Sequence, residues 1–97
     1  MLLIKNGFVV SEKDTYKADI LIEDGKIKEI GNNINADCRV IDAAGKYVIP
    51  GAIDAHTHFD LPAGACRAVD DFYTGTVAAA CGGTTTIIDH MGFGPKG

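Results

Sequence analysis

The sequence predicts an α/β fold with a β-rich N-terminal part, followed by the start of a strand–helix–strand unit. Short segments of alternating apolar and polar residues, separated by turn residues, fill the chain up to Pro50-Gly51. Asp24-Gly25 joins two such segments and is typical of a two-residue hairpin turn. Beyond Gly51, a stretch of small side chains separates two apolar segments, as in a βαβ unit. We therefore expect a β layer over residues 1–50 and a second part over residues 51–97.

Six short segments make up the predicted β layer. They are Leu2–Lys5, Phe8–Val10, Ala18–Glu23, Lys26–Ile30, Val40–Asp42 and Tyr47–Ile49. Asn6-Gly7, between the first two segments, fits either a hairpin turn or a bulge within one kinked strand. Residues 43–46 are expected to form a turn between the last two segments.

The second part is predicted to contain two parallel strands joined by a helix. The elements in order are strand Ala52–Asp54, loop Leu61–Val69, a helix that starts near Asp70 or Asp71 and ends at Gly82-Gly83, and strand Thr84–Asp89. Aspartate caps helix N-termini well, and glycine is common where helices end. The second strand is apolar enough for us to expect it to be buried.

The composition is that of an ordinary globular protein. Of the 97 residues, 46% are hydrophobic and 23% are charged, and the formal net charge is −4. This acidic balance argues against a nucleic-acid partner, and no apolar run approaches the roughly 18 residues that span a bilayer. The start has no signal-peptide pattern, and the three cysteines form no C-x-x-C pair. We therefore expect a cytoplasmic protein with reduced thiols, in which Cys81 is a small packing residue.

The clearest chemical feature is the sequence His56-Thr57-His58. Residues i and i+2 of a strand share a face, so two imidazoles at a strand end can bind one metal ion. The alternative is a pair of solvent-facing histidines on an edge strand. Asp89 and His90 follow the second strand, where they form either an ordinary hydrogen-bonded strand end or a group that orients a ligand histidine.

A match to G-x-G-x-x-G runs from Gly92 to Gly97, but it does not indicate a dinucleotide site. Such a site needs a helix that opens at the last glycine and an acidic residue about 20 positions further on. The sequence stops at Gly97, and Pro95 removes a backbone N–H from the loop. We expect residues 90–97 to form a loop without a cofactor-binding role.

Several longer stretches resemble the amidohydrolase superfamily. Residues 51–58 are similar to its first barrel strand, and residues 22–27 and 41–51 are similar to its β layer. Residues 70–76 and 82–89 resemble the dihydropyrimidinase/hydantoinase family in particular, and the resemblance covers essentially the whole chain. It implies a partial β-sandwich layer over residues 1–50. Over residues 51–97 it implies the first βαβ unit of a (β/α)8 TIM barrel, truncated because such a barrel needs about 250 residues.

The resemblance also implies a function. Family members hydrolyse the ring amide of dihydropyrimidines or 5-substituted hydantoins with a hydroxide that bridges two divalent metal ions, expected to be zinc. His56 and His58 would be metal ligands, and the remaining ligands (a carboxylated lysine, two histidines and an aspartate) come from later strands. Lys96 lies too early to match the lysine. No catalytic residue is therefore assigned, and we expect the chain to be an N-terminal fragment that is inactive alone.

The residue two positions after the second histidine favours one branch of the superfamily. Dihydroorotases typically have an arginine there that binds the substrate carboxylate, and allantoinases an asparagine-type residue, whereas this chain has Asp60. A carboxylate would repel an anionic substrate, which favours a small neutral cyclic ureide or imide. By resemblance we expect Asp60, Leu61 and Cys66 to line the substrate pocket. Cys66 and Arg67 depart from the commoner forms, which leaves the exocyclic group of the substrate open; an aryl-substituted hydantoin is one candidate.

Two classes of function remain open from the sequence. One is part of a metal-dependent enzyme that forms a homo-oligomer, a tetramer, when intact. The other is a non-catalytic remnant or assembly module of the same family that keeps the β layer. Catalytically silent relatives often lose the histidine pair, so its presence favours the enzyme.

Overall fold

The computed structural model describes residues 1–90, which belong to two compact units. The first unit is Met1–Pro50, and the second begins at Gly51. The G-x-G-x-x-G match and most of the loop expected at residues 90–97 lie outside the described residues. In the described part of the chain, no helix is both long and apolar enough to cross a membrane.

The first unit is a five-stranded sheet centred on its first strand. The strands are β1 (Leu2–Val10), β2 (Thr15–Glu23), β3 (Lys26–Gly31), β4 (Arg39–Asp42) and β5 (Tyr47–Val48). β2 pairs antiparallel with both β1 and β3, whereas β4 and β5 both run parallel to β1. The predicted turn between β4 and β5 is present, since Lys46 N–H donates to the carbonyl of Ala43 at 2.9 Å.

Positive φ angles occur at two places where this sheet changes direction. Asn6 has a φ of 63° at a point where the register of β1 with β2 shifts, so the first two predicted segments form one bulged strand. The backbone N–H of Asn6 donates to Oδ1 of Asp19 at 2.8 Å, and the other oxygen of this buried carboxylate accepts from Ile34 N–H at 3.1 Å. Asp24 and Gly25, with φ of 50° and 73°, connect β2 to β3 and confirm the predicted hairpin.

Both faces of the sheet carry buried apolar side chains, because neighbouring strand residues point in opposite directions. The buried side chains form two clusters: Leu3, Leu21 and Ile34, and separately Val9, Ala18 and Ile20. Cys38 packs against the first cluster. The second cluster lies under an open apolar hollow of about 370 Å³, whose rim includes Ile27 and Ile49. Their exposed fractions are 62% and 66%, so this face is only partly covered.

The second unit contains a parallel strand pair, one helix and a short hairpin. The elements are β6 (Ala52–Thr57), β7 (Pro62–Ala63), β8 (Cys66–Arg67), α1 (Phe72–Cys81) and β9 (Thr84–Asp89). β6 and β9 pair in parallel on either side of α1 in the sequence, which confirms the predicted βαβ arrangement of elements. The predicted loop over Leu61–Val69 contains the β7–β8 hairpin, which turns at Gly64 with a φ of 61°.

Helix α1 begins with a capping box. The carboxylate of Asp71 accepts from the backbone N–H of Thr74 at 2.7 Å, and the hydroxyl of Thr74 accepts from the backbone N–H of Asp71 at 3.1 Å. The N–H of Thr74, and then its hydroxyl, lower the pKa of Asp71 below its ordinary value. The helix ends at Gly82, and Gly83 follows with a φ of 88°, as predicted for a glycine-terminated helix.

Two expectations about burial in this unit are wrong. Cys81 is exposed, and β9 has half-buried and exposed positions and no buried ones. The physical reason is the small number of neighbours: within residues 51–90, β9 pairs with one strand, β6, and packs against one helix, α1. A parallel strand needs cover on both faces and both edges to be fully buried.

Candidate metal centre

The side chains of His56 and His58 converge at the end of β6. Their Nε2 atoms lie 3.1 Å apart, and their ring centroids are 5.0 Å apart at an interplanar angle of 74°. Two imidazoles on one tetrahedral zinc ion, with Zn–N distances of about 2.0–2.1 Å, would have their nitrogens about 3.3 Å apart. The observed separation is close to that value, so the pair could share one ion with little movement.

The orientation of the His58 ring is fixed by a backbone carbonyl. Nδ1 of His58 lies 3.0 Å from the carbonyl oxygen of His90. A carbonyl oxygen only accepts hydrogen bonds, so Nδ1 carries the proton and Nε2 of the neutral ring keeps its lone pair. Metal-binding histidines commonly have this arrangement, in which the nitrogen away from the ion donates to a carbonyl or carboxylate. Nε2 of His58 is therefore a suitable ligand atom directed at His56.

The chain on both sides of His58 is anchored to Asp89 at the end of β9. Oδ1 of Asp89 accepts hydrogen bonds from the hydroxyl of Thr57 and from the backbone N–H of Phe59, each at 3.0 Å. His90 adds a backbone hydrogen bond from its N–H to the carbonyl of Thr57 at 2.9 Å. The sequence predicted that Asp89 and His90 follow the second strand. It left open whether they form an ordinary strand end or orient a ligand histidine. The structure brings both beside the histidine pair.

Phe59 connects the histidine pair to helix α1. Its ring lies edge-on to Phe72, with centroids 5.9 Å apart and an interplanar angle of 71°. It also covers Gly75, which is the buried residue of the helix, and a side chain at this position would overlap the ring. Sequence reasoning missed Phe59 and Gly75. The signal for them was a single glycine in the middle of an otherwise continuous helical segment.

Asp60 and Leu61 lie beside the histidine pair, at the start of the β7–β8 hairpin. They contribute to a shallow pocket of about 150 Å³. Its lining is Phe59, Asp60, Leu61, Pro62, Phe72, Asp89 and His90. Cys66, the third residue expected in a substrate pocket, is exposed on β8 and is not among these lining residues.

The carboxylate of Asp60 forms an ion pair with Arg67. Oδ1 of Asp60 lies 2.6 Å from Nη1 of Arg67, which also donates to the carbonyl of Asp60 at 3.2 Å. Asp60 has a φ of 51°, and its N–H donates to the carbonyl of Asp70 at 2.8 Å. The guanidinium of Arg67 therefore offsets the negative charge of Asp60 from which the sequence argument for a neutral substrate started. Arg67, which departs from the forms common in the family, is thus the ion-pair partner of Asp60.

Metal ligation by this part of the chain is limited to a pair of residues. Among residues 1–90, no group of three His, Cys, Asp or Glu side chains is arranged to hold a metal ion. A catalytic zinc site usually has three protein ligands and one open position. His56 and His58 fit such a site in donor type and separation, but a pair is fewer ligands than such a site has.

The chain is similar to hydantoinases in sequence and in structure, although no family model matches it. It is 57% identical over 98 residues to D-phenylhydantoinase of Escherichia coli O1:K1 / APEC, a match that covers 99% of this chain and 21% of that protein. It superposes on a crystal structure of D-hydantoinase with a TM-score of 0.85 and 58% identity, over 90% of this chain and 19% of that one. It also superposes on the structure of D-hydantoinase (dihydropyrimidinase) from Thermus sp. with a TM-score of 0.87 and 50% identity. That match covers 92% of this chain and 20% of the Thermus chain. The chain thus spans about one fifth of the length of the relatives it matches.

Proposed function

We propose that this chain, which fits an N-terminal segment of the hydantoinase family, supplies the first two metal ligands of a cyclic amidohydrolase. The enzyme would hydrolyse the ring amide of dihydropyrimidines or 5-substituted hydantoins. One observation carries the proposal: Nε2 of His58 faces Nε2 of His56 at 3.1 Å while its Nδ1 donates to a backbone carbonyl. A hydrogen bond between the two imidazoles gives a similar separation, so the tautomer of His58, fixed by the carbonyl of His90, is the feature that favours a ligand role.

The two units are proposed to be parts of two larger domains. Residues 1–50 would be a segment of a β-sandwich, and residues 51–97 the start of a metal-dependent (β/α)8 barrel. The βαβ order of the second unit supports this assignment, as does the position of the histidine pair at the C-terminal end of β6, where barrel enzymes place their active sites. The remaining metal ligands would come from the four fifths of the relatives' length that this chain does not match.

The metal proposed here is divalent, with zinc as the first candidate and two ions in the complete enzyme. Such ions would supply an activated water at neutral pH and polarise the substrate carbonyl. The part of this chain's residues is to bind and orient. The carbonyl of His90 fixes the tautomer in which Nε2 of His58 has a free lone pair, and Nε2 of His56, which donates to it in the metal-free chain, would give up its proton to bind an ion. A complete ligand set is needed for chemistry, so we expect the 97-residue chain alone to be inactive.

The proposed substrate is a small, neutral cyclic ureide or imide. Asp60 and Leu61 line the shallow pocket beside His90 and would contact the ring or its substituent, with Cys66 further out on the hairpin. Because Arg67 offsets the charge of Asp60, repulsion by Asp60 no longer argues against an anionic substrate. The same ion pair, however, occupies the arginine that could otherwise bind a substrate carboxylate. A neutral ring still fits best, as the names of the relatives also suggest. By resemblance to the family, we also propose that the complete enzyme is a homo-oligomer located in the cytoplasm.

A chimera tests the function directly. Residues 1–97 would replace the matching segment of the E. coli D-phenylhydantoinase, and hydrolysis of dihydrouracil, 5-phenylhydantoin and dihydroorotate would be measured. We expect turnover of the first two compounds and none of dihydroorotate. The double change His56→Ala, His58→Ala should abolish turnover, whereas Lys13→Ala, in an exposed loop of the first unit, should not. A chimera that prefers dihydroorotate, or one that tolerates loss of both histidines, would refute the proposal.

A further inference from the structure

We infer that His90 is a positioning residue for both histidines of the candidate metal centre, acting on one through its ring and on the other through its carbonyl oxygen. The inference rests on the proposed function, because it concerns how His56 and His58 are presented to an ion. The imidazole of His90 stacks on that of His56, with centroids 4.0 Å apart and an interplanar angle of 13°. The carbonyl oxygen of the same residue lies 3.0 Å from Nδ1 of His58.

His90 can perform this role because it is itself attached to β6 at two points. Its N–H donates to the carbonyl of Thr57 at 2.9 Å, and its Nε2 lies 3.3 Å from the carbonyl of Ala55. Since a carbonyl only accepts, Nε2 of His90 is the protonated nitrogen and donates to the carbonyl of Ala55 on β6. The two contacts bracket His56 in the sequence and keep the His90 ring parallel to its face.

The stack matters for His56 because this ring lacks the kind of anchor that His58 has in the described part of the chain. Within residues 1–90, Nε2 of His56 contacts Nε2 of His58, and Nδ1 of His56 makes no hydrogen bond. The flat contact with His90 restricts rotation of the His56 ring about its Cβ–Cγ bond and directs Nε2 towards His58. Fixing the ring before an ion arrives reduces the entropy lost on binding, so the stack is expected to increase metal affinity.

The ring and the carbonyl of His90 can be separated by mutation. A change of side chain alters the ring that stacks on His56 but leaves the backbone carbonyl that fixes His58. His90→Phe keeps a flat ring and lacks the nitrogens, whereas His90→Ala lacks the ring altogether. A merely structural role would lower stability in both variants without a specific effect on the orientation of His56.

The experiment uses the ¹⁵N-labelled 97-residue chain, with zinc as the probe. Two-bond ¹H–¹⁵N correlations should show His58 protonated at Nδ1 in the metal-free parent and in His90→Phe, and nuclear Overhauser contacts should link the rings at positions 56 and 90. Calorimetric titration should show zinc affinity falling about tenfold or more in His90→Ala, as for other residues that orient ligands, and by less than about threefold in His90→Phe.

Equal zinc affinity in His90→Ala and the parent would overturn the inference, and so would a His90→Phe variant as weak as His90→Ala. If His90→Ala fails to fold, the nuclear Overhauser contacts decide the question, because their absence between the rings at positions 56 and 90 in the parent would overturn the inference. If the parent binds zinc no better than the His56→Ala, His58→Ala variant, the proposed metal centre fails. The tautomer of His58 and the ring-to-ring contacts then still determine whether His90 positions the pair.

Discussion

The hydroxyl of Thr57 donates a hydrogen bond to Oδ1 of Asp89 over 3.0 Å, joining β6 to the last residue of β9. The same oxygen accepts the backbone N–H of Phe59 at 3.0 Å. A single carboxylate oxygen therefore holds the residues before and after His58. The position of that histidine therefore depends on a residue 30 or more positions later in the chain, at the end of β9.

Replacing Asp89 by alanine should loosen the chain around His58. The change removes the acceptor of two hydrogen bonds at a partly buried position, which costs about 1–3 kcal/mol for each group left without a partner. Amide exchange at Phe59, measured by NMR, should accelerate about tenfold or more, and Asp89→Asn, which retains Oδ1, should show a smaller effect. Asp70→Ala, at an exposed aspartate of the same unit, is the control. Unchanged exchange at Phe59 in Asp89→Ala would contradict the anchoring role.

The sequence predicted those features that depend on local signals. Asp24-Gly25 marks a hairpin through its backbone preferences, and the pair Asp70-Asp71 marks a helix start through side chains that can cap it. The structure selects Asp71 of these two as the cap. The convergence of His56 and His58 follows from the two-residue period of a strand. The sequence did not reveal the Asp60–Arg67 ion pair, because the two residues meet only through the β7–β8 hairpin, which was predicted as a loop.

Gly75→Ala should destabilise the second unit although alanine favours helices. The helix preference would contribute about 1 kcal/mol. Against it, the new methyl group would overlap the ring of Phe59, and overpacking of this kind costs about 1–3 kcal/mol. We expect the clash to prevail in urea unfolding followed by circular dichroism at 222 nm. Gly82→Ala is the matched control, because its Cβ would come no closer than 3.4 Å to the nearest neighbour, the carbonyl oxygen of Ala79. Equal stability of the two variants would show that Phe59 is free to move.

Helix α1 should lose stability in acid through its N-terminal cap. Because the N–H and hydroxyl of Thr74 lower the pKa of Asp71 in the folded chain, the ionised cap contributes stability. That contribution is complete above the unfolded-state pKa of about 3.9 and is lost as the pH falls through the lower folded-state pKa. Helical ellipticity followed between about pH 5 and pH 2 should show this loss in the parent. Asparagine also caps helices but does not titrate, so the ellipticity of Asp71→Asn should depend less on pH. Identical acid profiles of the parent and Asp71→Asn would contradict the role of the cap.

Zinc should bind this chain weakly and through the histidine pair. Complete structural sites with four ligands bind with about 10–16 kcal/mol, so two imidazoles are expected to provide about half of that, a dissociation constant on the order of micromolar or weaker. Calorimetric titration should show one weak site in the parent and none in the His56→Ala, His58→Ala variant. Cys66→Ser tests the one cysteine expected near the pocket, and it should leave the affinity unchanged. Tight one-to-one binding that survives loss of both histidines would contradict the assignment.

The 97-residue chain should associate with itself through its exposed apolar faces. Ile27 and Ile49 border the hollow of the first unit, and Ile53 and Ile88 of the second unit are 65% and 52% exposed. Exposed apolar surface on sheets favours pairing between chains.

Size-exclusion chromatography with light scattering, over a range of concentrations, should therefore show species larger than the monomer. The double change Ile27→Lys, Ile49→Lys should raise the concentration needed for association about tenfold or more, because burial of each isoleucine contributes roughly 1.5–3 kcal/mol. The single change Glu12→Lys alters the net charge by the same amount at an exposed loop position, and so it separates the effect of charge from the effect of the apolar face. A parent that remains monomeric at every concentration and unfolds in one sharp, reversible thermal transition would show that these faces need no partner. The first unit would then be stable with one face of its sheet open to water, and its hollow would have to be regarded as an ordinary surface feature.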